Sequence, residues 1–289
     1  MTLLISSFQE SKKLAINVAK SLKAEYTEII SKKFPDNESK IEFSKNPSNK
    51  TVIILVSFAK DPNKKIIETI LAAGIAKDYK ANKVILVATY LPYMRQDNHF
   101  ENYDGMSAKK ILTTLSNNFD EIIVIDPHLH RIKHLSQIAP NASSITVNKL
   151  IEDYVSKKFS NFKIVGPDEE SQQWDKSIAK DLHQHATILK KTRFSSTHVK
   201  IASKNIHSPN ILMIDDIIST GQTLLEAIKI VKKQGAKKVV CIGIHGVFAN
   251  NSDNLIAKQA QLITTNTIPN KYAKIDVSPV IVDALRKYS

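Results

Sequence analysis

ILMIDDIISTGQTLLEAIKIV, residues 211–231, runs from four apolar residues into two adjacent acids, then a short Ser-Thr-Gly loop, then a segment with helical spacing. Leu224, Leu225, Ile228 and Val231 recur along that last segment at the three-to-four interval of an amphipathic helix. A strand, a loop and a helix in this order make half of a βαβ unit, and in such folds ligands bind beyond the carboxyl ends of the strands. Gly221 permits a tight turn, and Ser219, Thr220 and Thr223 bring hydroxyls to the helix start. Backbone amides there, aided by the helix dipole, form a cradle for a phosphate. Asp215 and Asp216 beside it suit the hydroxyls of a sugar phosphate. The plainer alternative is a capped helix, with Asp216 or Ser219 as the local cap. Capping alone leaves the paired acids at the end of an apolar run without a reason.

Outward from this stretch, apolar runs of strand length recur: VIILVS (52–57), VILVATY (84–90), EIIVID (121–126), KIVGPD (163–168) and VVCIGIHG (239–246). Helical spacing fills several of the intervals. Nearly continuous apolar strands alternating with helices indicate an α/β fold with parallel sheets covered on both faces. The strand–loop–helix–strand unit beginning at 52 is echoed by the unit beginning at 211. Chance recurrence of a common unit and duplication both account for it. A chain of 289 residues accommodates two such domains, with the boundary expected near 143–150 and the segment after about 270 expected to return to the first half.

The composition excludes some classes. No apolar run reaches membrane-span length, and the start MTLLISSFQESKK lacks a basic region with a cleavage site, so a cytoplasmic protein is expected. Cys241 is the one cysteine, so no disulfide framework is available and a buried thiol is expected. The net charge of +13 raises nucleic acid as a partner, but the charge is spread as lysine and no nucleic-acid motif accompanies it. A solvated lysine-rich surface explains it better. Only Arg95, Arg131, Arg193 and Arg286 are arginines among 41 basic residues, so each marks a place where a planar bidentate donor has a use.

IDDIISTGQT resembles the ribose-phosphate loop of type I phosphoribosyltransferases and of phosphoribosyl pyrophosphate synthetases. Further motifs separate the two families. FPDNES (34–39) resembles the synthetase loop FPDGE, PYMRQDN (92–98) resembles PYxRQDR, and IDPHLH (125–130) resembles VDLHA. GPDEES (166–171) resembles SPDxGG, KKTR (190–193) a mobile KRR loop, IHGVFA (244–249) THPxF, and NTIP (266–269) DTIP. Their order along the chain is that of the synthetases, the ribose-phosphate pyrophosphokinases.

This resemblance implies two doubly wound, type I phosphoribosyltransferase-like domains with mainly parallel sheets. Residues 1–146 would form the ATP side and 147–289 the ribose 5-phosphate side, the last residues packing on the first half. It implies transfer of the β,γ-diphosphoryl group of Mg-ATP to O1 of ribose 5-phosphate, with Mg2+ as cofactor. Phe34, Asp36 and Glu38, with Arg95, Gln96 and Asp97, match the ATP side. Taken alone, the Phe34 motif could be a surface turn and Arg95 a surface ion pair. Asp215, Asp216, Ser219, Thr220, Gly221, Gln222 and Thr223 match the ribose 5-phosphate side. His128 and Asp168 match the magnesium positions, the D-x-H spacing selecting His128 over His130. Lys191 and Arg193 match the catalytic cations of a flexible loop. A homo-oligomer built from dimers, a tetramer or hexamer, is implied by resemblance only.

Departures from the family pattern are Ser219 for an aspartate, Gln222 for a glycine, Asn98 for an arginine, and the missing double glycine in GPDEES. They bear on substrate affinity, the metal shell and regulation. Two competing functions use part of the pattern. A phosphoribosyltransferase needs only the 211–223 motif, and a non-catalytic synthetase-associated subunit would be expected to lose the loop cations or metal ligands.

Overall fold

The computed structural model describes residues 2–99, 101–129, 131–168, 186–193, 199–202, 206 and 208–289; for 190–193 and 199–202 the strands are described, without side chains. The chain divides into two compact units, Met1–Thr146 with Thr267–Pro269 and Val277–Ser289, and Val147–Asn266 with Asn270–Asp276.

The first unit is built on seven strands: β1 (Leu3–Ser7), β2 (Glu25–Lys33), β3 (Ser39–Phe43), β4 (Thr51–Ser57), β5 (Lys83–Tyr90), β6 (Glu121–Ile125) and β7 (Ala142–Ile145). Their order is β3-β2-β1-β4-β5-β6-β7. Every neighbouring pair is parallel except the β2–β3 hairpin. All seven residues of β4 are buried, as a continuous TVIILVS run requires when helices cover both faces. Among the helices are α1 (Lys12–Ser21), α2 (Pro62–Asp78) and α3 (Ser107–Ser116). Pro62 opens α2, where its fixed φ fits the first turn and its missing N–H costs nothing.

The second unit has β8 (Lys163–Gly166), β9 (Thr187–Ile188), β12 (Asn210–Ile218), β13 (Lys238–Gly246), β14 (Gln261–Thr265) and β15 (Ala273–Ile275) in one parallel sheet, ordered β15-β14-β13-β12-β8-β9. Separately, β10 (Lys190–Arg193) pairs antiparallel with β11 (Val199–Ala202). Among the described residues its helices include α4 (Asn148–Lys158), α5 (Gln222–Lys233) and α6 (Ser252–Ala257). Leu224, Ala227, Ile228 and Val231 form the buried stripe of α5, with Leu225 only partly covered.

Both sheets are doubly wound and mainly parallel. Each contains a place where strand order reverses direction, beside β1 and β4 in the first unit and beside β8 and β12 in the second. After β15 the chain adds α7 (Ser278–Leu285) to the first unit, where it packs against α1. Thr89 Oγ1 of that unit donates to the Thr267 carbonyl at 2.7 Å. Among the described residues, no helix is long and apolar enough to cross a membrane.

Candidate active site

In the second unit the residues that directly follow β8 and β12 lie at the strand reversal, where open α/β sheets bind ligands. Strand β12 continues to Ile218, four residues beyond the end of the apolar run 211–214. The extension has a plain cause: Ile217 and Ile218 pair with His245 and Gly246 of the equally long β13. Asp215 and Asp216 therefore lie inside a regular strand, and neighbouring side chains of a strand face opposite ways. The two carboxylates are adjacent in sequence without sharing a face. Asp216 is buried, and its Oδ1 accepts the Ile217 amide at 2.8 Å; Asp215 is half-buried.

The loop after β12 is tightly specified. Gly221 is the N-cap of α5 with φ +68°, a left-handed conformation that glycine adopts without steric cost. A Cβ at this position would stand 2.8 Å from Ile256 Cδ1 and 3.3 Å from Ser252 Cβ. Ser252 Oγ donates to the Ser219 carbonyl at 2.5 Å and holds the loop from the start of α6. Capping by Asp216 or Ser219 is not what the structure shows: the N-cap is Gly221, no side chain caps α5, and its first turn carries no acid. A helix start of this kind, with amides and dipole uncompensated by an acid, favours an anion. Thr220 and Gln222 are exposed, so the bulk of Gln222 is directed to solvent and leaves the backbone cradle intact. Asp168, buried, follows β8 by two residues. Since β8 and β12 are neighbours, Asp168 and the 219–221 loop belong to the same carboxyl edge of the sheet.

Lys191 and Arg193 lie on β10, paired with Ile201 and Val199 of β11. The segment read as a loop carries two paired strands, in which Thr192, Val199 and Ile201 are β-branched residues that favour strands. Glu169, Glu170 and His130 lie outside the described residues.

In the first unit, Phe34, Asp36 and Glu38 occupy the tip of the β2–β3 hairpin. The Asn37 amide donates to the Phe34 carbonyl and the Phe34 amide to the Glu38 carbonyl, each at 2.9 Å. Pro35 presets the first turn angle, and Asn37 takes φ +73°, the conformation that the family's glycine also allows. Asp36 Oδ1 accepts the Glu38 amide at 3.2 Å, and Phe34 is 48% exposed. An exposed phenylalanine beside acids offers a stacking surface and acceptors to a base.

Arg95 and Gln96 are exposed on the turn after β5, while Asp97 is buried. The Asp97 carboxylate accepts from Arg131 twice, from Nη1 at 2.7 Å and from the backbone amide at 3.2 Å. Arg131 was marked in the sequence only by the rarity of arginine. His128, buried, follows β6 by three residues, after Asp126 turns the chain with φ +37°. Cys241 is fully buried, and burial, with the Asp215 charge adding to it, pushes its thiol pKa far above the ordinary value.

Residues 3–118 match the family described as the N-terminal domain of ribose phosphate pyrophosphokinase, and residues 134–279 match the phosphoribosyl transferase domain. The chain is similar to the ribose-phosphate pyrophosphokinase of Pyrococcus furiosus, 33% identical over 91% of this chain and 94% of the relative. The enzyme of the same name from Sulfurisphaera tokodaii is 29% identical over 92% and 94% of the two chains. That of Methanopyrus kandleri is 26% identical over 99% and 100%. In fold, the chain is similar to the crystal structure of phosphoribosylpyrophosphate synthetase from Mycobacterium smegmatis, with a TM-score of 0.86, 21% identity, and coverage of 99% of this chain and 98% of the other. The chain belongs to the ribose-phosphate pyrophosphokinase family.

Proposed function

We propose that the protein transfers the β,γ-diphosphoryl group of Mg-ATP to O1 of D-ribose 5-phosphate, giving 5-phospho-α-D-ribose 1-diphosphate and AMP. The observation that carries this reading is the glycine-started, acid-free N-terminus of α5 directly after a strand bearing two aspartates. The 5-phosphate takes the amides of the 219–223 loop and the hydroxyls of Ser219, Thr220 and Thr223. Gln222 contributes its amide there, and Asp215 and Asp216, facing different ways, take separate sugar hydroxyls.

Residues 1–146 form the nucleotide side. Phe34, Asp36 and Glu38 meet the base, and Arg95 and Gln96 meet ATP, with Asp97 behind them. Residues 147–289 form the ribose 5-phosphate side, apart from the last residues. Attack by O1 is in line at the β-phosphorus, so positioning and neutralisation of charge carry most of the acceleration. Lys191 and Arg193 supply cations where negative charge develops.

Of the two donors, Asp168 offers the oxygen that Mg2+ prefers and His128 a nitrogen that it takes less readily. Among the described residues, no group of three or more His, Cys, Asp and Glu could hold a metal ion, which does not suit a protein-made cage. Mg2+ characteristically takes few protein ligands and fills its shell with substrate phosphates and water. His128 and Asp168 would hold it. When bound with ATP it supplies neutralisation of the phosphate charge.

A homo-oligomer built from dimers belongs to the same reading. Ile67 and Leu71 are exposed one turn apart on α2, and Tyr79 is exposed just after it, apolar surface suited to burial against a second copy. The protein is assigned to the cytoplasm.

The deciding experiment incubates purified protein with ribose 5-phosphate, ATP and Mg2+ and follows AMP. AMP formation stoichiometric with the sugar diphosphate supports the reading. Release of pyrophosphate from added sugar diphosphate and a nucleobase would instead identify a phosphoribosyltransferase. Inactivity alone, with activation of an active synthetase on mixing, would identify an associated subunit.

A further inference from the structure

The Phe34–Glu38 tip projects from the two strands at one edge of the first unit's sheet. Beneath it lies a buried acid that the motifs do not include. Glu68, in the second turn of α2, has 0% exposure. Its Oε1 accepts a hydrogen bond from Ser39 Oγ at 3.0 Å and a second, short one from Ser31 Oγ. Ser31 precedes the tip by three residues on β2, and Ser39 is the first residue after it on β3. The hairpin register pairs Ser31 with Ile41 and Lys33 with Ser39, so both hydroxyls lie on the same face of the ribbon. One carboxylate oxygen thus holds both stems.

The acid is in turn held from behind. Lys65 Nζ is 3.0 Å from Oε2 and Lys64 Nζ is 3.3 Å from Oε1. Lys65 also pairs with Glu10 at 2.8 Å and lies 3.9 Å over the Phe8 ring. Phe8 and Glu10 follow β1, at the strand reversal of this sheet. Burial alone would raise the Glu68 pKa, but the Ser31 and Lys65 contacts outweigh it and leave the pKa below the ordinary value. The group is therefore a carboxylate at neutral pH, capable of strong charge-assisted hydrogen bonds.

Stability is a weak reason for such an arrangement, because well-packed apolar residues often replace buried ion networks without loss. The rest of the same α2 face is Ile66, Thr69, Ala72, Ala73 and Ala76, so an apolar residue at 68 would continue it. What a carboxylate adds is direction: two hydroxyls on two different strands are brought to one point.

We propose that Glu68 is a positioning residue for the nucleotide, aiming the Phe34–Glu38 tip by gripping both stems of its hairpin. This inference rests on the reading of that tip as nucleotide-binding. Two variants separate aim from folding. Glu68→Gln removes the charge at nearly constant shape. The double variant Ser31→Ala with Ser39→Ala leaves Glu68 with its lysines and cuts only the tie to the stems.

Initial rates are measured with each substrate varied in turn. In both variants the KM for ATP is expected to rise by about tenfold, with the KM for ribose 5-phosphate and kcat within about twofold. Ser31→Thr with Ser39→Thr, which keeps both hydroxyls, should stay close to the native KM for ATP. An unchanged KM for ATP in the double-alanine variant overturns the proposal. So does an equal rise in both KM values accompanied by a lower melting temperature. If the native protein forms no AMP, the reaction reading fails separately, and calorimetric titration of the same variants with Mg-ATP decides the positioning role. Absence of ATP binding by the native protein would overturn both.

Discussion

Arg131 is fastened at two points to the carboxylate of Asp97, through Nη1 at 2.7 Å and the backbone amide at 3.2 Å. The Asp97 side chain is 2% exposed and that of Arg131 is 55% exposed. The acid is thus the anchor and the arginine the part that meets solvent. A buried carboxylate would repel a triphosphate, whereas the exposed positive charge of an arginine attracts one. This geometry favours Asp97 acting through Arg131 and through the path of the chain just after His128.

If so, Asp97→Asn, which removes the anchoring charge, should weaken ATP binding by about 1.5–3 kcal/mol, the size of one hydrogen bond to a charged group. Arg131→Ala should do the same. The double variant should be no worse than either single one, since both break one unit. Calorimetric titration with Mg-ATP measures all three, and additive losses would show two separate roles.

In the second unit, Gly221→Ala meets two obstacles, the left-handed φ of +68° and the 2.8 Å approach to Ile256 Cδ1. It is expected to destabilise the protein by about 1–3 kcal/mol and to weaken ribose 5-phosphate. Asp216→Ala, away from the turn, should weaken the sugar phosphate by about 1.5–3 kcal/mol while leaving the fold intact. Thermal melts and ribose 5-phosphate titrations distinguish the two. Native affinity in Asp216→Ala would remove Asp216 from the site.

Lys191→Ala and Arg193→Ala should each lower kcat by about 10²-fold or more with little change in KM, as expected of cations that act in the transition state. Two cations serving one developing charge would act as one clamp. The double variant should therefore fall short of the product of the single effects. Near-native kcat in both would assign the pair to solvated surface.

The C-terminal segment provides a pH test. Glu121 accepts from Lys287 Nζ at 2.7 Å and from the Tyr288 hydroxyl, and pairs with Lys83 at 3.3 Å. Burial raises the Glu121 pKa, but Lys287, Tyr288 and Lys83 together hold it below the ordinary 4.5. A depressed acid stabilises fully above its unfolded pKa and loses that contribution as pH falls through the folded one. The Lys287 pKa is raised by the hydrogen bond to Glu121, from 10.5, so its share is full below that value and lost as pH rises through the folded one. The melting-temperature difference between native protein and Glu121→Gln should accordingly be widest between about pH 5 and pH 10 and shrink on both sides. A difference independent of pH would show that the latch acts through packing alone.

Several elements were legible in the chain itself. VIILVS, VILVATY and VVCIGIHG became β4, β5 and β13 because strands covered on both faces need an unbroken apolar run. The Leu224, Ile228 and Val231 stripe became the buried face of α5, and Gly221 marked its start. The family, too, was legible, since short motifs in a fixed order survive where most of the sequence has changed. The β2–β3 hairpin did not stand out, because EYTEIISKK and SKIEF carry neither a continuous apolar run nor a sustained polar-apolar alternation.

What remained for the tertiary structure were pairings made at a distance. Glu68 reads as an ordinary polar residue of a helix until Ser31 and Ser39 arrive beside it. Arg131 lies 34 residues from Asp97, and Thr89 lies 178 from Thr267. Local spacing determines which segments form strands and helices and which backbone can receive a phosphate, because those properties depend on neighbours within a turn or two. Which buried charge finds which partner depends on how the sheet and helices are packed, and only there do these residues acquire the surroundings that make them matter.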